Sequence, residues 1–218
     1  MIICKSGREL EMMKESGRMT AEVLELLGKS IRPGITGRQL DRIAEEYLQK
    51  HGAKASFKGY NGYPAALCVS PNHYVVHGIP NDIPLREGDI VSLDFGVLYK
   101  GFNTDAARTF PVGSISDENQ KLIDRTRESF YKGIEFCKVG YRISDISSAI
   151  QQYAESYGYS LVRALTGHGV GEKLHEDPEI PNFGRPGRGP RIQNGMTLAI
   201  EPMVNLGSYA VEVLPDGW

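Results

Sequence analysis

Three acids and one histidine stand out because of what surrounds them. Asp94 lies in Ile-Val-Ser-Leu-Asp-Phe-Gly, apolar on both sides. A carboxylate in such a run needs a partner or a cation. Asp105 follows eleven residues later, beyond Tyr99-Lys100-Gly101, in Asn-Thr-Asp-Ala. Glu201 ends Thr-Leu-Ala-Ile-Glu and precedes Pro202. His168 sits in Leu-Thr-Gly-His-Gly-Val-Gly, where the glycines allow close backbone approach and expose the ring. An imidazole with several carboxylates is a donor set for Mn²⁺, Fe²⁺, Co²⁺ or Zn²⁺. His175, in Lys-Leu-His-Glu-Asp-Pro, and His77, in Val-Val-His-Gly-Ile-Pro, have no ligand spacing such as His-x-x-x-His. They are candidates for polarising a substrate or supporting the ligands.

These residues need elements to position them. Residues 6–28 read as a helix, with Ser6 and Glu9 as a capping box. A second helix runs from about Gly37 to His51, opened by Thr36 with Gln39 and closed by Gly52. The strand Asp89–Leu98 turns at Tyr99-Lys100-Gly101 into a strand over about Phe102–Pro111. With a Tyr99-Lys100 loop, Asp94 and Asp105 face each other directly; with a Lys100-Gly101 loop they are diagonal neighbours. Either way they share a face, ~4.5–8 Å apart at Cβ, which suits two metals ~3.5–4 Å apart. Ser116 then opens a helix over 117–137, and another spans about 145–157, ending at Gly158.

The pattern therefore restarts. Gly34, Leu40, Tyr47 and Gly52 recur 106 positions later as Gly140, Ile146, Tyr153 and Gly158. Gly88-Asp-Ile-Val-Ser-Leu-Asp94 recurs 107 later as Gly195-Met-Thr-Leu-Ala-Ile-Glu201, and Asn61-Gly62 aligns with His168-Gly169 at the same offset. Two copies of a helix–helix–hairpin unit predict an α+β fold. Its antiparallel sheet would have helices outside, with a pseudo-twofold cleft where equivalent residues converge. The halves would be about 1–112 and 113–218 of a single catalytic domain.

Composition narrows the function classes. With 25 basic and 27 acidic residues the net charge is −2, which gives no electrostatic case for a nucleic-acid or membrane-surface partner. No apolar run reaches the ~18 residues of a membrane span. The first residues turn charged too soon for a signal peptide. Three scattered cysteines, Cys4, Cys68 and Cys137, fit neither a disulfide framework nor a Cys-type zinc site, so a cytoplasmic setting is expected.

Together these segments resemble one family. Gly-Tyr-Asn-Gly-Tyr-Pro at 59–64, Val-His-Gly-Ile-Pro at 76–80, Gly-Asp-Ile-Val-Ser-Leu-Asp at 88–94 and Gly-Phe-Asn-Thr-Asp at 101–105 match it in order. So do Gly-His-Gly-Val-Gly at 167–171, His-Glu-Asp-Pro at 175–178 and Ile-Glu-Pro-Met-Val at 200–204. The chain resembles the short bacterial type I methionine aminopeptidases over essentially its whole length.

The resemblance implies the pita-bread fold and two divalent metal ions, cobalt, manganese, iron or zinc. Asp94 would chelate one, Asp105 would bridge both, and His168 and Glu201 would bind the second. Glu201 would also shuttle the proton of the attacking water. His175 would stabilise the tetrahedral intermediate, and His77 would contact the scissile peptide. Tyr60, Tyr63 and Cys68, with Phe57, Leu174 and Trp218 as walls, would enclose the methionine side chain. At positions 57 and 174 relatives often carry Cys and an aromatic residue, and Asn61 stands where many carry His. The implied partners are N-terminal Met peptides and nascent chains, with the ribosome as a candidate contact, for a monomeric enzyme.

One family ligand has no match. A bridging Glu on a final strand, in a Glu-His-Thr-like segment, is absent before Trp218. The expectation is a fragment with a weak second metal site, little activity and a frayed Trp218. The alternative is that a hairpin at Leu206-Gly207 brings Glu212 opposite Glu201. Rival readings are a proline-directed peptidase of the same fold and a metal-free binding module.

Overall fold

The computed structural model describes residues 1–218. It contains two compact units. One comprises Arg8–Asn119, Gly171–Leu174 and Val213–Trp218; the other comprises Met1–Gly7, Gln120–Val170 and His175–Glu212.

The unit built on Arg8–Asn119 begins with helix α1, Gly7–Ser30, which buries Met13, Thr20, Val23, Leu24 and Leu27 along one stripe. Helix α2, Gly37–His51, follows. Thr36 Oγ1 accepts from the Gln39 amide at 3.2 Å and Gln39 Oε1 accepts from the Thr36 amide at 3.0 Å. Gly52 closes the helix in the left-handed region at φ 64°. Both helices cover one face of a four-stranded antiparallel sheet. Its strands are β1 (Lys54–Ala55), β2 (Leu67–Pro71), β3 (Ile90–Tyr99) and β4 (Phe102–Pro111). β1 and β2 share one edge of β3, and β4 runs along the other. Alternation along β3 sends Val91, Leu93, Phe95 and Val97, all fully buried, into the core with α1 and α2. Ser92, Asp94 and Gly96 therefore look the other way. Lys100 and Gly101, at φ 50° and 87°, make the two-residue turn, and Tyr99 pairs with Phe102. Two positive φ values match the right-handed twist of the flanking strands.

The other unit carries helices α3, Asp117–Ile134, and α4, Ile143–Ser156. Ser116 Oγ caps α3 by accepting from the Asn119 amide at 3.1 Å. That helix ends three residues before the expected 137 because Phe136 and Cys137 tighten onto the Gly133 and Ile134 carbonyls. α4 starts two residues earlier than expected, since the Asp145 carboxylate reaches back to the Arg142 amide at 2.7 Å. The helices touch at Gly133, where a Cβ would come 2.8 Å from Ile150. Ile146, Ile150 and Ala154 of α4 pack on Leu161 and Ile180. The strands are β5 (Ser160–Leu161), β6 (Thr166–Gly169), β7 (Glu176–Pro181), β8 (Leu198–Ala199) and β9 (Val204–Asn205). β6 lies between β7 and β8, and β5 pairs with β9, all antiparallel.

Strand register tests the repeat. Lys54 pairs with Leu98 in the first half, and Ser160 pairs with Asn205 in the second. These are the same pair, displaced by the offsets of 106 and 107 seen in the sequence. The alignment of Asn61 with His168 does not survive. Asn61 sits in a 3₁₀ turn, Tyr60–Gly62, whereas His168 lies in β6 opposite Ala199. Ala199 is the counterpart of Ser92, whose partner is Ser70. His168 thus occupies the sheet position of Ser70, and the same shift of 98 carries His77 onto His175.

Candidate active site

In the unit built on Arg8–Asn119, β3 and β4 hold Asp94 opposite Ala107 and Asp105 opposite Gly96. Of the two loops the sequence allowed, the structure has Lys100-Gly101, so the acids are diagonal neighbours on the face turned away from the helices. Both are half-buried. Cys68 pairs with Asp94 from the other edge of β3. Beside it lies a buried cluster of Phe57, Tyr63, Ala65, Cys68 and Leu174, with Ile79 and Trp218 packed against it. Gly96 lets Phe57 pack against this strand, because a Cβ there would come 2.9 Å from its ring. Burial, reinforced by Asp94, pushes the Cys68 thiol up, so it stays protonated as an apolar wall.

Five of the six expected pocket residues are in that cluster. Tyr60 is not: it stands 37% exposed in the 3₁₀ turn. Trp218 is not frayed. Its ring meets Tyr63 edge-on at 4.9 Å, and its carbonyl accepts from the Leu214 amide at 3.0 Å. The Tyr63 hydroxyl lies 3.1 Å from the Leu67 carbonyl and 2.9 Å from the Gly78 carbonyl, tying the pocket to the segment after His77. His77 is held at φ 59° with its ring 5.9 Å from Trp218. Burial lowers its pKa against the opposing pull of Asp105, favouring a neutral ring near pH 7.

The other unit supplies the remaining candidates. His168 is buried in β6 and its Nδ1 lies 2.8 Å from the Gly169 carbonyl. A carbonyl can only accept, so Nδ1 carries a proton, and in the neutral ring Nε2 holds the lone pair. Nε2 faces Glu201 Oε1 at 3.2 Å. Two acceptors at that distance repel unless a cation or proton joins them, so this donor pair fits a divalent metal. His175 is exposed, with its ring 4.0 Å from that of His168. Glu201 lies between β8 and β9. Glu212 is exposed outside any strand and no strand follows Asn205, so the hairpin at Leu206-Gly207 is not formed.

Two positioning residues escaped the sequence reading. Asn182, buried, donates from Nδ2 to the Glu201 carbonyl at 2.8 Å. Asn103 donates to the Gly171 and Glu172 carbonyls at 3.2 and 3.0 Å and so holds the loop bearing Leu174. Asn103 lies within a matching motif, but nothing in Pro-Asn-Phe-Gly marks Asn182. A groove of about 420 Å³ between α3 and α4, lined by Phe136, Gln152 and Tyr153, holds none of the candidates.

The profile of metallopeptidase family M24 matches residues 11–218. A methionine aminopeptidase of Clostridium perfringens is 58% identical, across 100% of this chain and 88% of its own length. The crystal structure of a methionine aminopeptidase from Thermotoga maritima superposes with a TM-score of 0.98 at 46% identity, covering 100% of this chain and 88% of that one. A prolidase from Pyrococcus furiosus gives 0.80 at 25% identity, covering 92% of this chain and 57% of that one.

Proposed function

The chain belongs to metallopeptidase family M24, and on that premise we propose that it removes the N-terminal methionine from polypeptides whose second residue is small. The fold is the pita-bread fold of these peptidases. The family works with divalent metal. The observation that carries the assignment here is the His168–Glu201 pair, an imidazole Nε2 3.2 Å from a carboxylate oxygen.

In this reading Asp94, Asp105, His168 and Glu201 are the ligands of two ions. Their identity among cobalt, manganese, iron and zinc follows availability. When bound, such ions lower the pKa of water and polarise a carbonyl. Glu201 takes the water proton and passes it to the leaving amine. His175 donates to the oxygen that gains charge, and neutral His77 hydrogen-bonds the scissile peptide. Phe57, Tyr63, Cys68, Leu174 and Trp218 enclose the methionine side chain, with Tyr60 at the exposed rim. An aromatic and sulfur-bearing wall suits a flexible thioether. The two halves form a single catalytic domain. The enzyme is a cytoplasmic monomer that acts on nascent chains, with the ribosome as the partner presenting them. No helix is long and apolar enough to cross a membrane.

The test is a peptide panel with saturating Mn²⁺ or Co²⁺. Met-Ala-x and Met-Gly-x should be cleaved, and Met-Lys-x and Leu-Ala-x poorly. Discrimination by a methylene or two is worth about 1–3 kcal/mol. Equal cleavage of Leu- and Met-initiated peptides, or a demand for proline second, would move the assignment to the proline-directed peptidases.

A further inference from the structure

We propose that Lys5 is a positioning residue for the reaction, acting through Glu176 on His175; this rests on the catalytic reading of His175. Lys5 and Glu176, 171 positions apart, form an ion pair whose side chains are each 3% exposed. Water therefore screens the pair little, and breaking it by removing one partner is costly.

Both ends of the pair sit at structural junctions. On the Lys5 side, its amide donates to the Gly195 carbonyl at 2.7 Å. Gly195, at φ 88°, has no room for a side chain, since a Cβ would lie 2.5 Å from the Lys5 carbonyl oxygen. The Cys4–Lys5 backbone is thus pressed onto the turn that leads into β8 and on to Glu201. On the other side, Glu176 opens β7 and pairs with Gly169, the residue after His168. That junction is tight: a Cβ on Gly169 would lie 2.2 Å from the Asp177 carbonyl oxygen.

His175 is bonded directly to Glu176 and lies in the bend just before β7, exposed, with its ring 4.0 Å from that of His168. Anchoring the Glu176 side chain therefore fixes the backbone on which that bend ends. Without the Lys5 ammonium, the Glu176 carboxylate favours water. The start of β7 then rotates, and His175 moves from its place beside His168.

The test compares the full-chain Lys5→Met, Lys5→Arg and His175→Ala variants and the double variant Lys5→Met/His175→Ala. Read-outs are kcat and KM on a Met-Ala tripeptide, metal content, and the histidine imidazole NMR signals of metal-free protein. Misplacing a reacting group by an ångström costs up to about a hundredfold. Lys5→Met should therefore lower kcat by roughly tenfold or more. KM and metal content should hold, the His175 signal should move, and Lys5→Arg should restore most of the rate. In the His175→Ala background Lys5→Met should add nothing. Should Lys5→Met fail to fold, Lys5→Met/Glu176→Leu, which leaves neither charge buried, should fold and still show the lowered kcat. Wild-type kcat in Lys5→Met, or an equal loss in both backgrounds, overturns the inference while the reading of His175 stands. Wild-type kcat in His175→Ala overturns that reading and the inference with it.

Discussion

The two halves place an acid at the same point of the repeat and hold it in opposite ways. Asp94 lies within β3, an unbroken ten-residue strand paired on both edges, opposite Cys68 and Ala107. Glu201, its counterpart, falls between the two-residue strands β8 and β9. Pro202 follows it and has no N–H for a ladder. A side chain substitutes for the missing strand, as Asn182 donates to the Glu201 carbonyl. Thus a continuous strand ladder fixes the Asp94 backbone, whereas the Glu201 backbone lies outside any strand with a side-chain donor on its carbonyl. The histidines differ in the same sense. His77 is half-buried in a left-handed turn, whereas His175 stands exposed where β7 begins. Repeat symmetry places the donors, but the surrounding hydrogen bonds decide how firmly each is held.

The largest expected effect comes from removing the ladder-held carboxylates. Asp94→Ala and Asp105→Ala should each lower turnover by about 10³-fold or more, beyond the loss of a single oxyanion donor. The β3–β4 register should survive, since truncation leaves fewer charges to compensate. Circular dichroism and steady-state assays with saturating Mn²⁺ or Co²⁺ decide this. Near-normal turnover in either variant would remove these acids from the site.

A sharper comparison comes from the supports. Asn182→Ala should weaken metal binding by about 10–100-fold, the usual cost of losing a residue that orients a ligand. Ser92→Ala removes the 2.8 Å hydroxyl contact with Thr109 from the continuous hairpin. Because the ladder already fixes Asp94, metal affinity there should change by less than about threefold. Isothermal titration with Mn²⁺ measures both. Equal losses would mean that ladder continuity does not govern how firmly the ligands are held.

Local signals in the sequence carried most of this architecture. The Thr36–Gln39 capping box and Gly52 fix α2 within a few residues, and the apolar alternation of β3 fixes which face carries Asp94. The hairpin register stayed open because two loops fit the same letters, and the choice turns on positive φ at both Lys100 and Gly101. His168 was aligned to the wrong partner for a different reason. The link from β1 to β2 runs from 55 to 67, while that from β5 to β6 runs only from 161 to 166, so a constant offset slips there. Asn182 and the Lys5–Glu176 pair were invisible because their partners are distant in sequence and follow no periodic pattern.

The smallest effect concerns the half-buried histidine and tests whether its burial matters. Burial lowers the His77 pKa in the folded protein, against the opposing pull of Asp105. The unfolded chain then binds a proton more readily than the folded one, so stability falls as pH drops below the ordinary value of 6.5. The loss grows until the pH passes below the lowered folded value, and above 6.5 this contribution is fully present. His77→Asn should flatten part of the slope in metal-free protein, since Asn also tolerates the left-handed backbone at φ 59°. Urea denaturation at a series of pH values between the two plateaus measures the difference. An unchanged slope in His77→Asn would mean that the ring is hydrated in solution.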